Sequence, residues 1–195
     1  MPIDASTFLA GLAESRRAAQ LTERKGFVPA SGLVLPVALE VAIRQRLMLT
    51  PVLARSHLAT TSASIGVPSC EREQIEFWYA QHGDDANWLL ETGESGIIAL
   101  EIDPALARYS LAHLAGDNSS WQRTLHFAAQ GRTQFLFEYV TGLPPLKHFP
   151  GLRLHSGNSI LVPPSRTPDG IELVYENPRA PLLPADWLRE AVILR

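Results

Sequence analysis

The chain has 195 residues, room for one sizeable core and too few for two large domains. With 46% hydrophobic and 19% charged residues the composition excludes a disordered chain, and a single cysteine, Cys70, excludes an internal disulfide and a cysteine-based zinc site. The net charge of −3 is uneven, with ten acids against two bases over residues 71–117, so any nucleic-acid contact must come from a local basic patch.

Residues 4–24 place Phe8, Leu9, Leu12, Ala19 and Leu21 at helical spacing, and Gly26 suits the end of that predicted helix. A short strand at 27–29 is cut off by Pro29. Leu35, Leu39 and Ile43 fit a helix within 34–48, whereas the small and polar residues of 50–69 read as loop. Ser69 caps a predicted helix over 71–82, with Glu71 and Glu73 in its first turn and Ile75, Trp78 and Tyr79 on one face; residues 83–85 end it. Strands are predicted at 88–91 and 97–103, joined by the turn at 92–96. Pro104 suits the first turn of a helix over 104–115. Residues 125–128 and 133–139 form a predicted hairpin around 130–132, and 152–155 and 159–162 a second around 156–158. A strand at 171–175 and a closing helix at 184–194, with Trp187, Leu188 and Val192 inward, complete the chain. Helices and strands mixed in this order, without repeats, predict an α+β fold. Trp78, Trp121 and Trp187 are expected in the core, with Trp88 more open.

No apolar run reaches the roughly 18–20 residues that cross a bilayer, and the N-terminus lacks the pattern of a signal peptide, so no membrane association and a cytoplasmic location are expected. The six histidines show no HxxxH or HExxH spacing.

The stretch Gly96-Ile-Ile-Ala-Leu-Glu101-Ile-Asp103-Pro104 carries the most chemical information. Four apolar residues run into two acids at i and i+2, a spacing that points both carboxylates to one face of a strand, at its C-terminal end. Two such carboxylates repel unless a cation or proton intervenes, and a divalent metal carrying phosphates is one solution. The other reading has Asp103 capping the helix that Pro104 opens and Glu101 merely exposed. A second stretch, Arg153-Leu-His155 leading to Val162-Pro163-Pro164-Ser165, reads as a tight turn followed by a rigid Pro-Pro turn. Arg16, Arg17, Arg24, Lys25, Arg44, Arg46 and Arg55 read either as a phosphate-binding surface or as a solvated face.

A series of segments resembles one family. Ala59-Thr60-Thr61, Gln74-Ile-Glu-Phe-Trp78, Asn87, Thr92-Gly93 and Ser95-Gly-Ile-Ile-Ala-Leu-Glu101-Ile-Asp103 look like the first half of bifunctional primase–polymerase domains. Val162-Pro163-Pro164-Ser165, Gly170, Tyr175, Leu183-Pro184 and Trp187-Leu188 look like the second half, so the likeness runs in order over about residues 25–190. The resemblance implies the archaeo-eukaryotic primase-like fold, an α/β module packed with a module like the RNA-recognition motif. It also implies an active site between the modules and template-directed nucleotide polymerisation with magnesium or manganese.

The family's catalytic set transfers unevenly. Its paired acids fall on Glu101 and Asp103, which would be the metal ligands of an active site. Gln134 stands where the resemblance implies a histidine that contacts incoming nucleotide, and Arg153 stands where it implies a third acid. The lysine-proline element expected before the Ala-Thr segment is replaced by Leu49-Thr50-Pro51. Arginine in place of an acid swings the site by two charges, and its guanidinium forms forked pairs with carboxylates. Arg153 therefore reads either as pairing with Glu101 or Asp103 in a catalytically degenerate site or, if the strand register is shifted by one, as pointing to solvent. If the site is active instead, Glu138 is a candidate third acid. Arg132 and Ser165 are expected to contact nucleotide or DNA, and His155 reads either as a phosphate contact or as an exposed or hydrogen-bonded strand histidine. Expected partners are single-stranded or primed DNA, nucleoside triphosphates and a separate helicase or replication protein, since the chain has no GxxxxGK[ST] motif. A structural or protein-interaction role for the fold alone is the remaining alternative.

Overall fold

The computed structural model describes residues 33–53, 66–141, 149–167 and 169–190. The predicted N-terminal helix and strand, the Ala59-Thr60-Thr61 segment, and Arg16, Arg17, Arg24, Lys25 and Arg55 lie outside them.

The described chain opens with helix α1 (Val37–Arg44), which Pro36 starts and which buries Leu39, Val41 and Ala42. A turn with Arg46 at φ 56° leads into strand β1 (Leu49–Leu53), a segment expected as loop. Helix α2 (Arg72–His82) follows, with the Ser69 hydroxyl accepting a hydrogen bond from the Glu71 amide at 3.1 Å just ahead of it. Arg72 ties α2 to α1 through a forked pair with Glu40 at 2.8 and 2.6 Å. After one 3-10 turn come strand β2 (Ala86–Glu91), strand β3 (Ile97–Ile102) and helix α3 (Pro104–Leu114). Strands β4 (Leu125–Ala129), β5 (Arg132–Glu138), β6 (Leu152–His155), β7 (Ser159–Val162) and β8 (Tyr175–Asn177) precede the last helix, α4 (Asp186–Glu190).

The strands form two antiparallel sheets, β1-β2-β7 and β6-β3-β5-β4-β8. Only one predicted hairpin is a hairpin. Strands β4 and β5 pair directly across Gln130 and Gly131, both at positive φ, as a two-residue turn of primed type requires. The other predicted hairpin is split between the sheets, with β7 on β2 and β6 on β3, and the two strands joined by the 92–96 turn are divided in the same way: β2 pairs with β1 and β7, while β3 pairs with β5 and β6. The turns at 92–96 and 156–158 are thus crossovers from one sheet to the other. They lock together, since Thr92 Oγ1 donates to the Asn158 carbonyl at 2.7 Å and accepts from the Asn158 amide at 3.0 Å. The predicted strand at 171–175 is also displaced; regular pairing begins only at Tyr175.

Burial follows from this split. Ile97 and Ala99 face a core shared by both sheets, α1 and α2, with Trp78, Trp88, Phe127 and Leu136 among its members. Ile98, Leu100 and Ile102 face a second core with Trp121, Phe135, Phe137, Trp187 and Leu188. Trp121 packs edge-on against Phe135 and Trp187, at centroid distances of 4.8 and 5.6 Å. Trp88, expected to be open, is fully buried, because β2 is the central strand of its sheet and Trp88 lies against Trp78.

Ser165, expected to contact nucleotide, is likewise fully buried after the Pro163–Pro164 turn, whose peptide is cis. Its hydroxyl accepts from the Trp88 amide at 2.7 Å and donates to the Trp88 carbonyl at 3.1 Å, so both roles are occupied away from the cleft. Ser165→Ala strands a buried N–H and C=O at once, and a loss of about 2 kcal/mol in urea-unfolding free energy is expected. A loss below about 0.5 kcal/mol would show that the turn is not held there.

Candidate functional site

Alternation along β3 creates the site. The even positions from 98 to 102 enter the second core, so Glu101 shares the opposite face with Ile97 and Ala99, beyond the point where the first core covers it. Asp103 N-caps α3, with Oδ1 accepting from the Ala105 amide at 3.0 Å and Pro104 at the first helical position. The capping reading of Asp103 is therefore correct, but only for one of its oxygens.

The register brings the sequence-predicted residues together around Glu101. Gln134 on β5 and Arg153 on β6 are its two cross-strand partners, and His155 is opposite Ala99 on the same face. Glu101 Oε1 accepts from Arg132 Nη1 at 2.7 Å; Oε2 accepts from Gln134 Nε2 at 2.7 Å and lies 3.4 Å from His155 Nε2. Arg132 Nε also lies 3.7 Å from Asp103 Oδ2. The cation set between the two acids is thus Arg132, not Arg153. Among the described residues Arg153 makes no ion pair with either carboxylate; it is exposed and lines a recess of about 140 Å³ with Glu101, Asp103, Leu106 and Gly151. Arg132 and Gln134 are two apart on β5, so both emerge on the Glu101 face, and Arg132 starts the strand where it can lean across both acids.

On the other side of Glu101 a cleft of about 210 Å³ runs between the sheets. Its walls include Arg132, Gln134, His155, Ile160 and Leu173. Gln134 is buried, and the carboxylate sets its amide orientation: Nε2 must face Glu101, which leaves Oε1 buried without a hydrogen-bond partner. Ser159 and Thr167 also line the cleft, a role that local sequence did not indicate. They arrive from β7 and the loop beyond it, and no short-range spacing links them to β3. Glu138 does not approach the acids. It pairs with Ile97 at the far end of β3, roughly 13 Å along the strand from Gln134.

The hydrogen bond from His155 contributes most to holding the Glu101 carboxyl at about 2, although its contact is the longest of the three. Gln134 and the positive charge of Arg132 act in the same direction, and burial opposes them. The folded value lies below the ordinary 4.5, so Glu101 contributes stability above that value and loses it as pH falls toward 2. Partial exposure weakens the effect, leaving about 1–2 kcal/mol. The unfolding free-energy gap between the native chain and Glu101→Gln is expected to shrink by that amount between about pH 5 and pH 2. A gap independent of pH over this window would contradict the arrangement.

The residues gathered here do not fit a pair of magnesium or manganese ions. Such a pair needs several carboxylates. Here both Glu101 oxygens are taken, Asp103 is divided between a cap and a guanidinium, and no group of three or more His, Cys, Asp or Glu suited to a metal is present among the described residues.

Among the described residues, two antiparallel sheets and four helices, with a cleft at the end of β3, define a mixed α+β domain with an acid–guanidinium site. The chain belongs to the Prim-Pol family, described as bifunctional DNA primase/polymerase, N-terminal, which matches residues 38–187. No curated protein matches the chain. No helix among the described residues is long and apolar enough to cross a membrane.

Proposed function

We propose that this prim-pol domain binds the phosphates of nucleotides or nucleic acid in DNA replication without template-directed polymerisation. The observation that carries the reading is the ring around Glu101: Arg132 pairs with it, Gln134 is opposite on one strand and Arg153 is opposite on the other. The family resemblance implies a dication-binding acid where Arg153 stands, and Gln134 donates to Glu101. Arg132, with a side chain 44% exposed, and the exposed Arg153 flank the acids as fixed positive charges suited to phosphate oxygens. His155 is held beside Glu101 at the same mouth.

The strand order also supports the two-module primase-like fold. Strand β3, helix α3, strands β4 and β5 and then β6 form a sheet in the order β6-β3-β5-β4, the arrangement of a split βαβ module related to the RNA-recognition motif. The cleft lies between that sheet and β7 of the other.

Two measurements on the same preparation test the proposal. Fluorescence anisotropy with labelled single-stranded DNA in EDTA should show binding whose log–log salt slope is about −1.4, the value for two phosphate contacts. Primer extension with manganese should show no incorporation. Incorporation would establish the alternative of an active metal-dependent polymerase. Absence of binding at low salt, to DNA and to nucleotides alike, would leave only a structural or protein-interaction role.

A further inference from the structure

We propose that Arg132 is a tethered cation that closes the Glu101–Asp103 pair to divalent metal, so that its removal opens a dication site in the same fold. The inference rests on the reading above and extends it from Arg153, where an acid is missing, to Arg132, which fills the space between the acids that remain.

The geometry is specific. One guanidinium reaches both carboxylates, through Nη1 to Glu101 Oε1 at 2.7 Å and through Nε toward Asp103 Oδ2 at 3.7 Å. It takes the oxygens a metal would need and adds a positive charge that an approaching dication must face. Its own position favours removal without damage: it begins β5 at the rim, its side chain is 44% exposed, and it belongs to neither core. The carboxylates are held independently of it. Glu101 keeps Gln134 and His155, and Asp103 keeps its cap on Ala105. Gln134 Oε1 is buried without a hydrogen-bond partner, on the side chain whose Nε2 holds Glu101.

The test is manganese binding by the full chain, read from loss of the free-ion electron paramagnetic resonance signal. Native protein should give no saturable site through the low millimolar range. Arg132→Ala should gain one, with affinity at least about tenfold higher. The site should vanish in Arg132→Ala/Glu101→Gln, and Arg132→Lys, which keeps a charge there, should gain little. Unfolding curves of the variants report whether the fold is retained, and a second neutral variant, Arg132→Gln, replaces Arg132→Ala should that one unfold. Equal binding by native protein and both neutral variants, whether strong in all or absent in all, overturns the proposal. Strong binding by the native chain without primer extension overturns the tethered cation alone. Primer extension by the native chain overturns the non-polymerising reading instead, so the two failures are distinct.

Discussion

Gly151→Ala is expected to lower unfolding free energy by about 3–5 kcal/mol. A Cβ at this position would lie 2.3 Å from the Ala107 nitrogen and 2.6 Å from the Leu106 carbonyl carbon, both backbone atoms of α3 that cannot rotate away. The residue also sits at φ 76°, where an L side chain adds backbone strain. The close approach is what docks α3. The Gly151 carbonyl accepts from the Asp103 amide at 2.8 Å, and the adjacent Pro150 carbonyl accepts from the Ser110 hydroxyl at 2.9 Å. Forcing α3 away therefore moves Asp103 relative to Arg153 as well as weakening the fold. Urea denaturation measures the first effect, and anisotropy with single-stranded DNA on the folded fraction measures the second. A loss under about 1 kcal/mol would mean that α3 does not rest on this backbone.

Arg153→Asp is expected to have the largest functional effect. It replaces one positive charge with one negative charge directly opposite Glu101, a swing of two units beside a carboxylate that is only 14% exposed. Metal-free binding of nucleotide or single-stranded DNA should weaken by about tenfold to a hundredfold. Arg153→Ala, which removes only the positive charge, should fall between the native chain and Arg153→Asp. Stability should change little, because Arg153 is exposed and belongs to neither core. Anisotropy in EDTA at low salt is the measurement. Equal affinity in the native chain and Arg153→Asp would show that phosphates do not pass this side of Glu101.

Much of the local structure was legible because it is governed by neighbours in the chain. The i, i+2 acids, Pro104 as the first residue of α3, and the Gln130–Gly131 turn each depend on a few adjacent residues. Strand partners were not legible in the same way. The turns at 92–96 and 156–158 carry turn signals that suit a hairpin as well as a crossover between sheets, and local spacing does not distinguish them. The choice is made by burial over long range. Strand β2 is buried along nearly its whole length and needs β1 and β7 on either side, which leaves β3 to β5 and β6.

The site divides along the same line. The residues themselves were found in the sequence: Glu101 and Asp103 by spacing, His155 by its place beside a turn near them, and Gln134, Arg132 and Arg153 by resemblance. Which arginine meets the acids was not. Arg132 and Arg153 lie on strands flanking β3 from opposite sides, and both emerge on the face of Glu101. Only the lengths and starting points of β5 and β6 decide whose guanidinium reaches across. Ser165 shows the same limit. Its motif was recognisable, but its hydroxyl turns to Trp88 because the Pro-Pro turn packs on β2, some 77 residues away in sequence.

The amino-acid order alone determined an α+β chain, the family to which it belongs and the chemical character of the residues at the end of β3. Tertiary structure decided which strands pair, that Trp88 and Ser165 are interior, and that Arg132 rather than Arg153 stands between the acids. The physical reason is range. Periodicity, capping and turn preference act within a few residues, whereas sheet register and the balance of charge around a buried carboxylate are set by groups that meet only when distant strands have paired.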